Sequence, residues 1–347
     1  MKSYSIAVLP GDGVGPEVIR EGQRAVEAVA DNFSLEWVSY PYGATHYLRT
    51  GETLLDNAVL EIGALDSVYL GPLGHPRVNQ GMIEKRTHQK LRNTLGQFVE
   101  VMPVRPFEGA RKVFHDFGKD QVDFVIVRDS TEDFQVGIGG SFWKGTPGEM
   151  AVQAGVISRK GSQKVIEYAF RLAKKEKRKL VTSCDKADTM PHSYGLWRKV
   201  FCEVACKNKR IDSELALVSD LIPSLATEPS RYETIVAPSL FGHILFEIGA
   251  MLQGGRGMAF CADLGDERPP TFKPMIPAMG ERGKTNPIGA ILAGAGMLDE
   301  LGERKAAARL RKAVSDVLKD GKVGTPDMGG RSSSGEVGSA ILKKLVR

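Results

Sequence analysis

Short apolar runs of strand length alternate with amphipathic, helix-length stretches along the whole chain, and no other feature narrows the fold so far. Ser5 to Leu9 (SIAVL) reads as a strand that empties into Gly11-Asp12-Gly13-Val14-Gly15 and then into an amphipathic helix ending near Ala30. Leu65 to Leu70 (LDSVYL) reads as another, closed by Gly71-Pro72-Leu73-Gly74. Val122 to Val127, Leu180 to Ser183 and Thr234 to Ala237 repeat the pattern. A chain written this way folds as α/β, and ligands of open α/β sheets collect beyond the strand ends. Its 347 residues suit two such domains.

Two stretches break the alternation. Phe134 to Gly161, rich in glycine with two short extended runs, predicts a β-arm, with a long surface loop as the plainer reading. Gly254 to Gly289 carries glycines and prolines and predicts loops over a ligand. With 42% hydrophobic residues the chain can bury a large core without staples. Its four cysteines have no CxxC spacing, which predicts reduced, partly packed thiols, Cys202 and Cys206 sharing a helix. The first apolar run is too short for a signal segment, and none approaches the roughly 18 apolar residues of a membrane span. A cytoplasmic protein is expected. The net charge of +5 is small, and the basic run Lys174 to Lys179 reads as a solvated helix end. That balance favours a small anionic metabolite over nucleic acid.

Gly11, Gly13 and Gly15 alone are a weak dinucleotide signal, because GDGVG is not GxGxxG. The longer string LPGDGVGPEV is far more specific. With GATHYLRTGETL, YLGPLG, LRNTLGQFVEVMPVRP, VIVRDSTEDF, KLVTSCDKAD, PSLFGHILFE, NPIGAILAGAGML and GTPDMGG, it resembles the metal-dependent β-decarboxylating dehydrogenases of the isocitrate/isopropylmalate dehydrogenase family from end to end. The resemblance implies that family's two-domain α/β fold rather than a Rossmann sheet of the usual kind. Residues 1–101 and 252–347 would form a discontinuous cofactor-side domain, and 102–251 a substrate and dimerisation domain with its β-arm near 134–161. It further implies NAD or NADP, Mg or Mn, a small carboxylic acid substrate and a homodimer with shared active sites.

Carried onto this sequence, the family's catalytic lysine is Lys186 in SCDKAD, which would act on the substrate hydroxyl once burial and neighbours lower its affinity for a proton. Arg128 and Arg92 match the arginines that clamp carboxylates through paired hydrogen bonds. A third family arginine is Met102 here. The turn that sets substrate choice reads Arg86, Thr87, His88 and Gln89, none suited to an isopropyl branch, so Arg86 and His88 are candidate contacts to a more polar substrate.

The departures continue at the metal. Two aspartates four apart on a helix become His243 and Glu247, with Asp220 as the third candidate ligand, supplied in the family by the partner subunit. An imidazole turns preference from Mg toward Mn, Fe or Zn, and loss of metal is the competing reading. The tyrosine that protonates the enolate after decarboxylation is Gln135 here, and an amide gives up no proton at neutral pH. In the shortened cofactor loop, Glu281 suits ribose hydroxyls while Arg282 suits a 2′-phosphate, with Gly283, Lys284 and Asn286 retained. Three readings stand: a divergent dehydrogenase that oxidises and decarboxylates a malate-like 2-hydroxy acid with a polar or acidic substituent, a silent or regulatory dinucleotide- and acid-binding paralogue, and a non-decarboxylating hydroxy acid dehydrogenase.

Overall fold

The computed structural model describes residues 2–111, 122–266 and 269–345. The strands run β1 (Lys2–Leu9), β2 (Phe33–Ser39), β3 (Ser67–Leu70), β4 (Gln97–Val104), β5 (Phe124–Asp129) and β6 (Asp133–Phe142). β7 (Met150–Val156), β8 (Leu180–Asp185), β9 (Asp212–Leu217), β10 (Thr234–Ala237), β11 (Phe260–Gly265) and β12 (Thr271–Pro274) follow. One compact unit takes the described parts of Met1–Gln97, Arg105–Phe114 and Ala250–Arg347, and a second those of Phe98–Val104 and His115–Gly249.

In the first unit the strand order is β2-β1-β3-β12-β11. β1 lies parallel to both β2 and β3, β12 parallel to β3, and β11 antiparallel to β12. Every residue of β3 is buried, as expected of a strand covered on both faces. Helices Gly15–Glu27, Ile288–Glu300 and Arg304–Asp320 contribute Val18, Val26, Ile291, Leu298 and Val314 to one core on this sheet. Each such side chain, fully buried, contributes about 1.5–3 kcal/mol.

The stretch expected as loops, Gly254 to Gly289, contains the hairpin β11–β12. Its prolines hid it: Pro269 and Pro270 stand just before β12, where no ladder N–H is required, and the Pro270 carbonyl accepts from Val68 N at 2.8 Å. The GDGVG turn is a knot of backbone. Gly11 and Gly13 have φ of +77° and +58°, and a Cβ on them would fall 2.2 Å from the Pro72 oxygen and 1.9 Å from that of Ala278. Between them the buried Asp12 carboxylate accepts from Ala44 N and Thr45 N at 2.8 Å and from Gly74 N at 3.0 Å.

The second unit has the order β4-β5-β10-β8-β9, with β4 antiparallel to β5 and the other neighbours parallel. Phe124, Phe170, Trp197 and Phe201 fill its core, and the Trp197 indole donates to Ser183 Oγ at 2.9 Å. The stretch from Phe134 holds the antiparallel hairpin β6–β7. It ends sooner than the sequence implied, because Ser158 caps helix Arg159–Lys175 by accepting from Gly161 N. Lys174 and Lys175 are exposed at that helix's end. Cys184 and Cys261 are buried, and the helical Cys202 and Cys206 are exposed rather than packed. Among the described residues no helix is long and apolar enough to cross a membrane.

Candidate active site

In the first unit the chain Glu84–Gln89 forms a turn of π-helix, a geometry that recurs at functional sites, and continues as helix Lys90–Thr94. Arg86 is exposed on the turn. His88 and Arg92, four residues apart on one face, both reach Asp263 of β11. Asp263 is wholly buried. Its Oδ1 accepts from Arg92 Nε at 2.7 Å and lies 2.7 Å from an Arg92 terminal nitrogen. Its Oδ2 accepts from Lys273 Nζ at 2.7 Å and lies 2.6 Å from His88 Nε2, and Lys273 and His88 are 2.9 Å apart. Burial and the adjacent Arg92 and Lys273 charges push the His88 ring down to about 4, against the pull of Asp263, so the ring is neutral near pH 7. Burial alone would raise the Asp263 carboxyl, but Arg92, Lys273 and His88 together hold it well below the usual carboxylate range.

The cofactor-loop candidates also lie in this unit. Gly283 N donates to Glu17 Oε2 at 2.8 Å, and Lys284 Nζ donates to the Arg331 carbonyl at 2.9 Å. Glu281 is exposed, its carbonyl accepting from Lys284 N and Thr285 Oγ1. Asn286 is buried, accepting from Ile288 N at 3.0 Å at the head of helix Ile288–Glu300 and donating to Asp327 at 3.1 Å.

In the second unit Arg128 stands at the end of β5, directly opposite Glu100 of β4, with Nε 3.0 Å from the Glu100 carboxylate and both groups buried. Helix Ser239–Leu252 crosses beside it. A Cβ on Gly242 would meet Arg128 Cβ and Cγ at 2.6 Å, and Phe246 lies under the guanidinium at 5.8 Å. One residue further round, His243 Nε2 and Glu247 Oε1 are 3.7 Å apart, the histidine exposed and the glutamate half-buried. Lys186, just past β8, donates to Asp188 at 2.7 Å and to Ser219 Oγ at 3.5 Å, the residue before the exposed Asp220. Gln135 sits near the root of the arm, its N–H on the Glu132 carbonyl. Met102 is fully buried against Ile126 and Gly249, so it fills core.

Lys186 and the start of the Asp220 helix therefore share one locality, and His243 and Glu247 another on their own helix. Among the described residues no three His, Cys, Asp or Glu side chains converge so as to hold a metal ion. Two donors fit half of a cation site and leave a divalent ion short of its coordination number.

Four participants escaped the sequence reading: Glu100, Asp263, Lys273 and Asp133. Asp133 has φ of +59°, strained for a non-glycine residue. It accepts from Tyr194 Oη at 3.1 Å and from Leu240 N at 3.0 Å, tying the arm's root to the helix of His243 and Glu247. Burial raises both the Asp133 and the Asp129 carboxyls, against the pull of backbone N–H groups.

The chain matches the family described as isocitrate/isopropylmalate dehydrogenase over residues 5–341. It is 35% identical to the 3-isopropylmalate dehydrogenase of Clavibacter sepedonicus, across 99% of this chain and 98% of that protein. Identity to the enzyme of the same description from Thermobifida fusca (strain YX) is 31%, across 99% and 98%. Among solved structures, isocitrate dehydrogenase from Methylococcus capsulatus superposes with a TM-score of 0.89 at 29% identity, covering 99% of this chain and 100% of that one.

Proposed function

The chain belongs to the isocitrate/isopropylmalate dehydrogenase family, oxidoreductases that act on the CH–OH group of hydroxy acids with NAD(P) and Mg or Mn, and on that premise we propose that its own substrate is a malate-like 2-hydroxy acid with a polar or acidic substituent. One observation carries the choice of substrate. The turn Glu84–Gln89 (EKRTHQ) contains no aliphatic side chain, and its His88 belongs to a buried polar cluster with Arg92, Asp263 and Lys273. An isopropyl branch set against such groups would desolvate them without replacing their hydrogen bonds, at a cost of order 1–3 kcal/mol per group.

In the first unit Arg92, braced by Asp263, holds a substrate carboxylate; in the second unit Arg128, braced by Glu100, is the carboxylate-binding candidate. Lys186, held as a donor between Asp188 and Ser219, takes the hydroxyl proton after its own ammonium proton has passed to solvent. His243 and Glu247 would hold the cation from one subunit, and Asp220 of the partner subunit would supply the third ligand. A bound cation would supply polarisation of the hydroxyl oxygen, and a bound nicotinamide would supply the hydride acceptor. Gln135 orients an oxygen by hydrogen bonding but protonates no carbon. That no third ligating side chain joins His243 and Glu247 among the described residues supports sharing between subunits, as does apolar surface left open at Phe142, Trp143 and Met150 on the hairpin and at Leu240, Ile244 and Met251 on helix Ser239–Leu252.

The experiment is NAD or NADP reduction with Mg, then Mn, over a panel of malate, tartrate, isocitrate and 3-isopropylmalate. The expected result is a kcat/KM for a malate-like or acidic substrate at least tenfold above that for isopropylmalate. A preference for isopropylmalate overturns the reading.

A further inference from the structure

We propose that Asp263 is a positioning residue for Arg92, and that the hairpin β11–β12, through Asp263 and Lys273 together with His88, presets the guanidinium that receives the substrate. This rests on the reading that Arg92 binds a substrate carboxylate.

The observations all lie within the first unit. Asp263 faces Thr271 across the hairpin, and Lys273 comes from the same β12 strand. The two oxygens of one carboxylate are divided: among the described residues Oδ1 serves Arg92, through Nε and a terminal nitrogen, while Oδ2 serves Lys273 and His88. Arg92 cannot rotate about its side chain without giving up two contacts at once. Asp263 cannot follow it, because Lys273 and His88 hold the other oxygen.

A packing role is a poor account of such a cluster. Taking an aspartate, an arginine, a lysine and an imidazole out of water costs desolvation that their attraction barely recovers, and apolar side chains of like volume generally stabilise as well or better. The arrangement does give an ordered arginine. An arginine is rich in rotamers, and a residue already fixed when the ligand arrives does not lose that freedom on binding. The π-turn contributes by placing His88 on the face of Arg92, so that the turn expected to read the substrate and the residue expected to clamp it answer to one carboxylate. Asp263→Asn leaves an acceptor for Arg92 at Oδ1 but sets an amide against Lys273 and His88, which loosens the anchor while changing little volume.

The test has two readouts. The first is nitrogen-15 NMR of the arginine side chains in the whole protein without substrate, with Arg92 assigned by comparison with Arg92→Lys. A slowly exchanging, motionally restricted Arg92 Nε–H in wild type, averaged in Asp263→Asn, is expected. A mobile Arg92 in wild type overturns the proposal without need of any variant. The second is steady-state kinetics with the best substrate of the panel. Asp263→Asn should raise KM for the acid about tenfold, the fold-change that ordering one long side chain accounts for, with kcat and the cofactor KM within twofold of wild type. Lys273→Met should give a smaller change in the same direction, and Asp263→Glu should recover part of the loss. A merely structural Asp263 would instead lower kcat with the fraction of folded enzyme and leave KM unmoved, and that pattern overturns the proposal. If wild type oxidises no hydroxy acid, the functional reading fails while the NMR result still decides whether Asp263 orders Arg92.

Discussion

Acidification between pH 6.5 and 4 should cost this protein stability through a single ring, His88. Its value of about 4 in the fold lies well under the 6.5 of an exposed histidine. Across that interval the unfolded chain binds a proton at position 88 that the folded chain refuses. Stability from this group is therefore complete above pH 6.5 and is lost as pH falls toward 4. The difference of about 2.5 units, at roughly 1.4 kcal/mol each, sets a ceiling between about 3 and 4 kcal/mol. The ring side chain retains 16% of its exposure, so about 2 kcal/mol is the loss expected by pH 4.5. The cause is specific: burial, then the charges of Arg92 and Lys273, outweigh the attraction of Asp263. His88→Gln keeps a donor for Asp263 and has nothing to titrate. Urea unfolding of both proteins at pH 7.5, 6.0, 5.0 and 4.5 isolates the effect, since other carboxylates are common to both. The variant should be the less sensitive by about 2 kcal/mol over the series. Parallel loss in the two proteins would refute the account of the cluster.

Three further outcomes follow from the second unit. Gly242→Ala brings a Cβ to 2.6 Å from Arg128, so kcat/KM should fall at least tenfold with a stability loss of about 1–3 kcal/mol, read by kinetics and thermal unfolding. His243→Ala and Glu247→Ala should each weaken Mn binding by about 10–100-fold in calorimetry, and an unchanged affinity would place the cation elsewhere. Gln135→Tyr should raise CO₂ released per reduced cofactor, by up to the roughly 10²–10⁴-fold that a positioned acid contributes, whereas a wild type already releasing one per cofactor at an ordinary rate shows another donor at work.

The strands at Ser5, Leu180 and Thr234 were legible because a fully buried parallel strand writes itself as a local apolar run, and the arm because its glycines broke the pattern. Hairpin β11–β12 was not. Its prolines and its Asp263 read as loop, and only pairing with β3 and the partners of that carboxylate make it a strand. Glu100 was invisible for a different reason. Its meeting with Arg128 depends on the register of two antiparallel strands separated by a long stretch of chain, which no local spacing encodes. The π-turn at Glu84–Gln89 likewise leaves no periodicity that a helical reading would separate from an ordinary turn. The chemistry-bearing residues were named from motifs, but the carboxylates behind them were supplied by topology.

The knot at Asp12 bears on how long a folded molecule survives. One carboxylate joins the turn after β1 to backbone 32, 33 and 62 residues further on. Those N–H groups meet it only once β1, β3 and helix Ala44–Thr50 have docked, which predicts that the knot forms on the late side of the folding barrier. Removing it by Asp12→Ala should leave the refolding rate nearly unchanged and let the whole penalty appear as faster unfolding. The carboxylate acts as a latch: it contributes little to finding the fold and much to the half-life of a molecule that has found it.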